Sequence, residues 1–308
     1  MEYIFLLSGF LILIYSGKYL VKGSVSLACR YKVSKLVIGV TVVAFGTSAP
    51  ELFVSVLAAI EGHSAISVGN VVGSNIANIA LVLGLTALIF PIPVKKNSVK
   101  IDWPVMMGAS LLFYVFILNG FLQFAEGLSF VVLLIAFLIF SIRRSRKDYI
   151  DDEEISDAHY STLISFIVII LASCGLALGS YLLVENVSVI ARGFGVSERV
   201  ISITLIAFGT SVPELATSVL AAFRKEMDIS IGNIIGSNIF NILGVLGVTS
   251  MIKKIEIPSL TLSFDVFWML GIALLFFLFI LPVTGGRLTR LKGLVLFAIY
   301  CVYVYLLF

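Results

Sequence analysis

The stretch that decides the fold reads AFGTSAPE at residues 44–51, and it returns as AFGTSVPE at residues 207–214. Each copy lies within a long apolar run and places a proline directly before a glutamate. Proline has no N–H, so a helix that reaches Pro50 leaves the carbonyl of Gly46 without its usual donor. We therefore predict a broken helix with free carbonyls around this turn. Glu51 follows the motif's threonine by one turn on the same face. The converging carbonyl, hydroxyl and carboxylate oxygens suit a hard cation.

The composition is that of a polytopic membrane protein. Hydrophobic residues make up 60% of the 308 residues and charged residues 13%, and the mean hydropathy is +1.12. Such values exclude an ordinary soluble domain. The net charge of +3 does not indicate a nucleic-acid partner, because the basic residues lie between apolar runs. Cys29, Cys174 and Cys301 are far apart and form no disulfide or metal pattern, and we expect no resident cofactor.

Ten helices are predicted, at about residues 3–28, 36–60, 66–89, 102–119, 124–142, 161–190, 199–223, 229–250, 262–281 and 289–307. The first run has no basic region or cleavage site before it, which favours a retained span over a signal peptide. The one sizeable polar segment, residues 143–160, is basic and then acidic. We interpret it as a solvated linker, because it lacks the spacing and central glycine of an EF-hand.

An internal repeat organises the chain. At the same offset of 163 residues, GNVVGSNIAN at 69–78 falls on GNIIGSNIFN at 232–241 without a gap. The predicted domains are a first five-helix repeat at 1–142 with its motif at 39–88, the cytoplasmic linker at 143–160, and a second repeat at 161–308 with its motif at 202–250. Because each repeat has an odd number of spans, the second copy is inserted in the membrane upside down relative to the first. The predicted fold class is an all-α membrane protein of two inverted five-helix repeats, with helices 2 and 7 broken.

The distribution of basic residues predicts the orientation. If the N-terminus is outside, the inward loops carry fifteen of the 21 Lys and Arg residues, and the outward side carries four. This asymmetry places both termini outside and the linker in the cytoplasm. The outward residues are Arg192, Arg199, Lys253 and Lys254. The protein is thus predicted to lie in the lipid bilayer of the plasma (inner) membrane.

The two motif glutamates are the clearest acids within the spans. An ionisable residue in the bilayer core is costly and usually marks a function. The inverted repeat brings Glu51 and Glu214 face to face, where they repel unless a cation lies between them or they bind protons. Ser74 and Asn78 are one turn apart, so their oxygens can complete a coordination shell. Gly69 and Gly73 have the spacing of close helix packing, and the motif's other asparagines, Asn70, Asn75, Asn233 and Asn238, are interpreted as links between helices.

The duplicated G-T-S-x-P-E and G-S-N-I-x-N blocks resemble the alpha-repeats of the calcium/cation antiporter superfamily, in its sodium/calcium exchanger branch. The resemblance implies a Na⁺/Ca²⁺ antiporter working by alternating access. By resemblance, Ca²⁺ would be held by Glu51, Glu214 and the main-chain carbonyls of Thr47 and Thr210. Flanking Na⁺ sites would use the carbonyls of Ala44 and Ala207 with Ser48, Ser211, Ser74 and Ser237, and the central position would be taken by Asn78 and Asn241.

Two departures from related branches bear on the transported ions. Some relatives, including potassium-dependent exchangers, carry aspartate where Asn241 stands, which puts K⁺ transport in doubt. The proton/calcium branch typically shows G-N-x-x-E, whereas Gly69-Asn70 is followed here by Val-Val-Gly. Among carriers, a proton-coupled or broader divalent-cation antiporter is the second hypothesis. A cation channel and an intramembrane enzyme are rival hypotheses from different functional classes, but no nucleophile–base motif is present and we predict no enzyme.

Overall fold

The computed structural model describes residues 2–148, 158–194 and 209–307. The described chain forms ten helices: α1 Glu2–Tyr31, α2 Lys35–Ile60, α3 Ser64–Ile89, α4 Ser98–Asn119, α5 Phe124–Asp148, α6 Thr162–Gly193, α7 Val212–Phe223, α8 Met227–Ile252, α9 Thr261–Ile280 and α10 Arg290–Leu306. Four two-residue strands lie in the connections: β1 Ile92–Pro93, β2 Phe121–Leu122, β3 Ile255–Glu256 and β4 Arg287–Leu288. The predicted all-α architecture is confirmed.

Polar and small residues set the ends of several helices. The side chains of Ser34, Ser161 and Thr289 accept hydrogen bonds from the backbone N–H three residues on, at the starts of α2, α6 and α10. Gly120 and Gly285 follow α4 and α9 with φ of 85° and 95°, a left-handed conformation that favours glycine. These signals explain why most predicted bounds fall close to the observed ones. α5 is an exception, because it continues to Asp148 rather than ending near residue 142.

Eight of the described helices are long and apolar enough to cross a membrane: α1 to α6, α8 and α9. Large apolar side chains are exposed on the protein surface, for example Phe53 of α2 at 75% and Leu163 of α6 at 71%. Such a surface would be unfavourable in water and is expected where the neighbour is lipid. The chain is an integral membrane protein.

Two small β-ribbons show how the halves are related. β1 pairs with β4, with Ile92 opposite Leu288, and β2 pairs with β3, with Leu122 opposite Ile255. β1 and β2 flank α4, whose 22 residues span roughly 33 Å, so the ribbons lie at opposite ends of the bundle. In the repeat, β1 is equivalent to β3 and β2 to β4, but β1 pairs with β4 and β2 pairs with β3. This exchange requires an inverted second repeat, as predicted.

The helix breaks differ between the two copies. Ser211 leaves helical geometry (φ −88°, ψ 0°), and α7 begins at the next residue, Val212. In α2 the irregularity lies before the motif, where Gly39–Val43 form a π-helical turn. The α-helix then continues from Ala44 through Pro50. The expected discontinuity at Pro50 is therefore replaced by a local widening two to three turns earlier, a feature common at functional sites.

The glycines of the second block bring α8 against α2. A Cβ added at Gly232 would lie 2.6 Å from the Leu36 carbonyl oxygen, and one at Gly236 would lie 2.5 Å from that of Val40. These two glycines thus show the close helix packing that is typical of this spacing. At Gly69 and Gly73 an added Cβ would meet no described atom within 4 Å, so the close packing predicted for these two glycines stays a prediction.

The buried apolar residues form two separate cores. The larger core joins α2 to α5 with α8 to α10, and the smaller core joins α1 and α6 with faces of α2 and α7. The backbones of α1 and α6 touch, because a Cβ at Gly9 would lie 3.0 Å from the Gly179 carbonyl oxygen. α1 and α6 therefore form a pair whose packing is distinct from that of the other helices.

Candidate functional site

Two hydroxyl pairs join the repeats at the centre of the bundle. The Thr47 and Ser237 hydroxyls are 3.3 Å apart, and those of Ser74 and Thr210 are 3.1 Å apart. The two contacts are equivalent under the 163-residue repeat. They bring α2 against α8 and α3 against the residues just before α7. The sequence-predicted residues therefore meet between the halves.

The two glutamates are both fully buried but have different surroundings. Glu214 Oε1 accepts hydrogen bonds from Ser48 at 3.2 Å and from Ser237 at 3.4 Å. Neither carboxylate oxygen of Glu51 has a hydrogen-bond partner among the described residues, and Glu214 Oε2 has none either. The Ser48 contact brings Glu214 against the helix that carries Glu51. Three acidic oxygens thus have no partner among the described residues, and in a desolvated space a bound cation or proton would satisfy them.

The remaining predicted side chains add neutral groups to the same region. Asn78 and Asn241 follow Ser74 and Ser237 by one helical turn and lie on the same faces. Both amide atoms of Asn78, Oδ1 of Asn241 and the Ser211 hydroxyl are buried and have no hydrogen-bond partner within the described chain. Unpaired buried oxygens are costly, and several in one region are typical of a ligand-binding site.

The structure describes some, but not all, of the residues whose main-chain carbonyls were predicted as ligands. Ala44 is fully buried, and its carbonyl accepts a hydrogen bond from the Thr47 hydroxyl at 3.2 Å. Thr210 lies in a helical turn just before Ser211. Ala207 lies outside the described residues.

A second set of polar contacts fixes the helices that carry the glutamates. Asn70 Nδ2 donates to Ser55 Oγ at 3.0 Å, and Asn233 Nδ2 donates to Ser218 Oγ at the same distance. These repeat-equivalent bonds tie α3 to α2 and α8 to α7. They confirm that Asn70 and Asn233 link helices. Asn233 also accepts from Thr47 at 3.0 Å, so it contacts a candidate ion ligand.

Two serines of α6 next to the motifs were missed by the sequence reasoning. Ser180 donates at 2.5 Å to the carbonyl of Gly209, which Pro213 leaves without a helical donor. Ser173 lies beside Gly46, where a Cβ would be 2.5 Å from its hydroxyl oxygen. Both serines lie outside the duplicated blocks, so no sequence pattern pointed to them.

The oxygen ligands of this site suit a hard cation that is bound by only a few charged side chains. The described residues contain no cluster of three or more His, Cys, Asp or Glu side chains that could hold a metal. The site instead offers two carboxylates surrounded by hydroxyl and amide oxygens. Oxygen ligands of this kind are preferred by Ca²⁺, and two negative charges match one divalent cation.

Comparison with known proteins identifies the family. A model described as "Sodium/calcium exchanger protein" matches residues 1–143 and 164–308. The chain belongs to this sodium/calcium exchanger family. Within the family it is 32% identical to the sodium/calcium exchanger MaX1 of Methanosarcina acetivorans, over all of this chain and 98% of the relative. It is 35% identical to the inner membrane protein YrbG of Escherichia coli, over 88% of this chain and 86% of that protein.

Solved structures of this exchanger family share the fold. A structure of the sodium-calcium exchanger NCX_Mj, soaked with 2.5 mM Na⁺ and 0.1 mM Ca²⁺, matches with a TM-score of 0.84 and 32% identity. The match covers 99% of this chain and 97% of that one. The family predicted from the duplicated blocks and the ten-helix architecture predicted from the apolar runs are therefore confirmed, and the chain is a member of a cation antiporter family.

Proposed function

We propose that this exchanger transports Ca²⁺ in exchange for Na⁺, with both ions bound between Glu51 and Glu214. The observation that carries the proposal is the pair of Glu51 oxygens, which are fully buried and have no partner in the described chain. A charged ligand in that position would offset the cost of burying the carboxylate. The named relatives that exchange Na⁺ and Ca²⁺ support these ions as the substrates.

The charges favour obligatory exchange. One Ca²⁺ neutralises both carboxylates, and Na⁺ ions compete for the same oxygens. An empty site leaves two negative charges in a low-dielectric space, which disfavours movement of the unloaded carrier. If the exchanged loads differ by one charge, a potential of 100 mV biases transport by about 2.3 kcal/mol.

The ligands of each ion follow from the resemblance to known exchangers. Glu51, Glu214 and the carbonyls of Thr47 and Thr210 would hold Ca²⁺. The carbonyls of Ala44 and Ala207 would hold Na⁺ with Ser48, Ser211, Ser74 and Ser237, and Asn78 and Asn241 would lie at the centre. The hydroxyl pairs between the repeats support this set, because they already bring four of these residues together.

Alternating access would come from movement of α1 and α6 against the other helices. Their buried side chains form, with faces of α2 and α7, a core separate from the larger one, and this separation supports the division. Glycines also lie where this pair meets other helices, because Gly17 of α1 faces Ala216 of α7 and Gly46 of α2 faces Ser173 of α6, and such contacts suit sliding. The site itself would stay with the larger core while these two helices open one side or the other.

The direct test is ⁴⁵Ca²⁺ uptake into proteoliposomes loaded with Na⁺, K⁺, choline or acid. We expect uptake only with internal Na⁺, and we expect Glu214→Gln to abolish it. Uptake driven by a proton gradient would instead support a proton-coupled antiporter. Uptake with no counter-ion gradient would support a channel, and no uptake at all would reopen the enzyme hypothesis.

We further propose that both termini lie outside and that residues 143–160 lie in the cytoplasm. Ion pairs support the grouping of loops at one end, since Lys35 contacts Glu226 and Lys95 contacts Asp228, each at 2.9 Å. The excess of basic residues in those loops favours the cytoplasmic side for that end.

Impermeant maleimide labelling in intact cells tests this orientation. The background replaces Cys29, Cys174 and Cys301 by serine. We expect Lys253→Cys to be labelled in intact cells and Lys96→Cys only after permeabilisation, because these two exposed positions lie at opposite ends of the bundle. The reverse pattern would overturn the orientation.

A further inference from the structure

Asn75 and Asn238 are equivalent in the two repeats, and they touch. Asn75 Nδ2 donates to the backbone carbonyl of Asn238 at 3.3 Å. A contact between residues that a two-fold axis exchanges must lie at that axis. The two amides nevertheless behave differently, because Asn238 Nδ2 donates to the Ile234 carbonyl of its own helix at 2.7 Å.

This asymmetry fixes the orientation of the Asn75 amide. Its nitrogen faces two acceptors, the Asn238 carbonyl and Met269 Sδ at 3.8 Å. Only the NH₂ group of an amide can donate to both. The oxygen of Asn75 must therefore point the other way, and there it accepts a hydrogen bond from Asn241 Nδ2 at 3.1 Å.

The same chain of bonds fixes Asn241. Because its NH₂ group is held by Asn75, its Oδ1 is directed away from Asn75, and this oxygen is buried without a partner among the described residues. Asn241 lies one turn beyond Ser237, which contacts Glu214. In Asn78, the equivalent of Asn241 in the first repeat, both amide atoms lack a partner in the described chain.

We infer that Asn75 is a positioning residue that orients Asn241 so that its carbonyl oxygen, and not its NH₂ group, faces the transported cation. The inference rests on the proposed exchange function. It assigns unequal roles to two residues that the repeat makes equivalent. Without Asn75, the Asn241 amide could turn and present a donor to a positive ion, which replaces attraction by repulsion.

The test compares Asn75→Leu with its repeat-equivalent control, Asn238→Leu. Leucine has the same branched shape as asparagine but neither donates nor accepts. We expect Asn75→Leu to raise the KM for Ca²⁺ in Na⁺-driven uptake about tenfold, the scale of one lost hydrogen bond to a charged group. Asn238→Leu should change it less than about threefold, because only a bond within its own helix is lost. Equal effects of the two variants would overturn the inference.

A double-mutant cycle separates positioning from a general structural effect. In an Asn241→Ala background, Asn75→Leu should add little to the KM, because the group that it orients is already gone. Additive effects would overturn the inference. If Asn75→Leu does not fold, Asn75→Ala replaces it in the same cycle. The measured quantity is then the Ca²⁺ concentration that gives half of the maximal increase in melting temperature of the purified protein. Absence of Na⁺-driven uptake in the wild type would overturn the proposed function itself, a result distinct from equal or additive variants.

Discussion

Replacing Glu51 by glutamine is expected to abolish Na⁺-driven Ca²⁺ uptake while leaving the ion-free protein at least as stable as the wild type. The side chain is fully buried, and neither oxygen has a partner in the described chain. Removing a charged ligand from a buried ion costs on the order of 3–5 kcal/mol, which corresponds to a loss of roughly 100-fold or more in Ca²⁺ affinity. Without ions, the substitution removes a buried negative charge and its desolvation cost.

The measurement is the melting temperature in detergent, with and without Ca²⁺, beside the uptake rate. A wild-type increase in melting temperature with Ca²⁺ should be missing in Glu51→Gln. Glu61→Gln is the matched control, because Glu61 comes directly after the last residue of the same helix and is exposed. The Glu61→Gln protein should behave as the wild type. A Glu51→Gln protein that still takes up Ca²⁺ at the wild-type rate would contradict the proposed site.

Replacing Gly236 by alanine is expected to destabilise the protein by about 1–3 kcal/mol. The new Cβ would lie 2.5 Å from the Val40 carbonyl oxygen and 2.7 Å from the Ala44 Cβ. Backbone atoms cannot rotate away as a flexible side chain can, so α8 must move from α2. The displacement also separates Ser237 from Thr47, so we expect weaker stabilisation by Ca²⁺ as well as a lower melting temperature.

Gly271→Ala provides the control for this substitution. Gly271 also lies within a helix, but an added Cβ there would meet no described atom within 4 Å. Alanine has the higher helix propensity, by about 1 kcal/mol, so the control should be neutral or slightly more stable. Equal destabilisation by the two substitutions would show that contact with α2 is not the cause.

The sequence was sufficient for the architecture because duplication and periodicity are properties of the chain itself. The offset of 163 residues locates both glutamates, and an odd number of apolar segments per copy inverts the second repeat. The close packing that was predicted for Gly69 and Gly73 is found at their repeat equivalents, Gly232 and Gly236. The position of the irregularity in α2 could not be predicted from the sequence. It is a π turn at Gly39–Val43, where α8 packs against α2, and this contact joins residues that are distant in the chain.

The sequence by itself determined that two equivalent acidic motifs face each other inside a membrane. Only the tertiary structure decided how the two copies differ. Glu214 receives hydrogen bonds from Ser48 and Ser237, whereas Glu51 receives none from the described residues. Near-identical motifs have near-identical local preferences, so their differences arise from neighbours distant in the chain. At the two-fold axis itself, Asn75 and Asn238 cannot both bridge the repeats through one contact, and the packing around them selects Asn75.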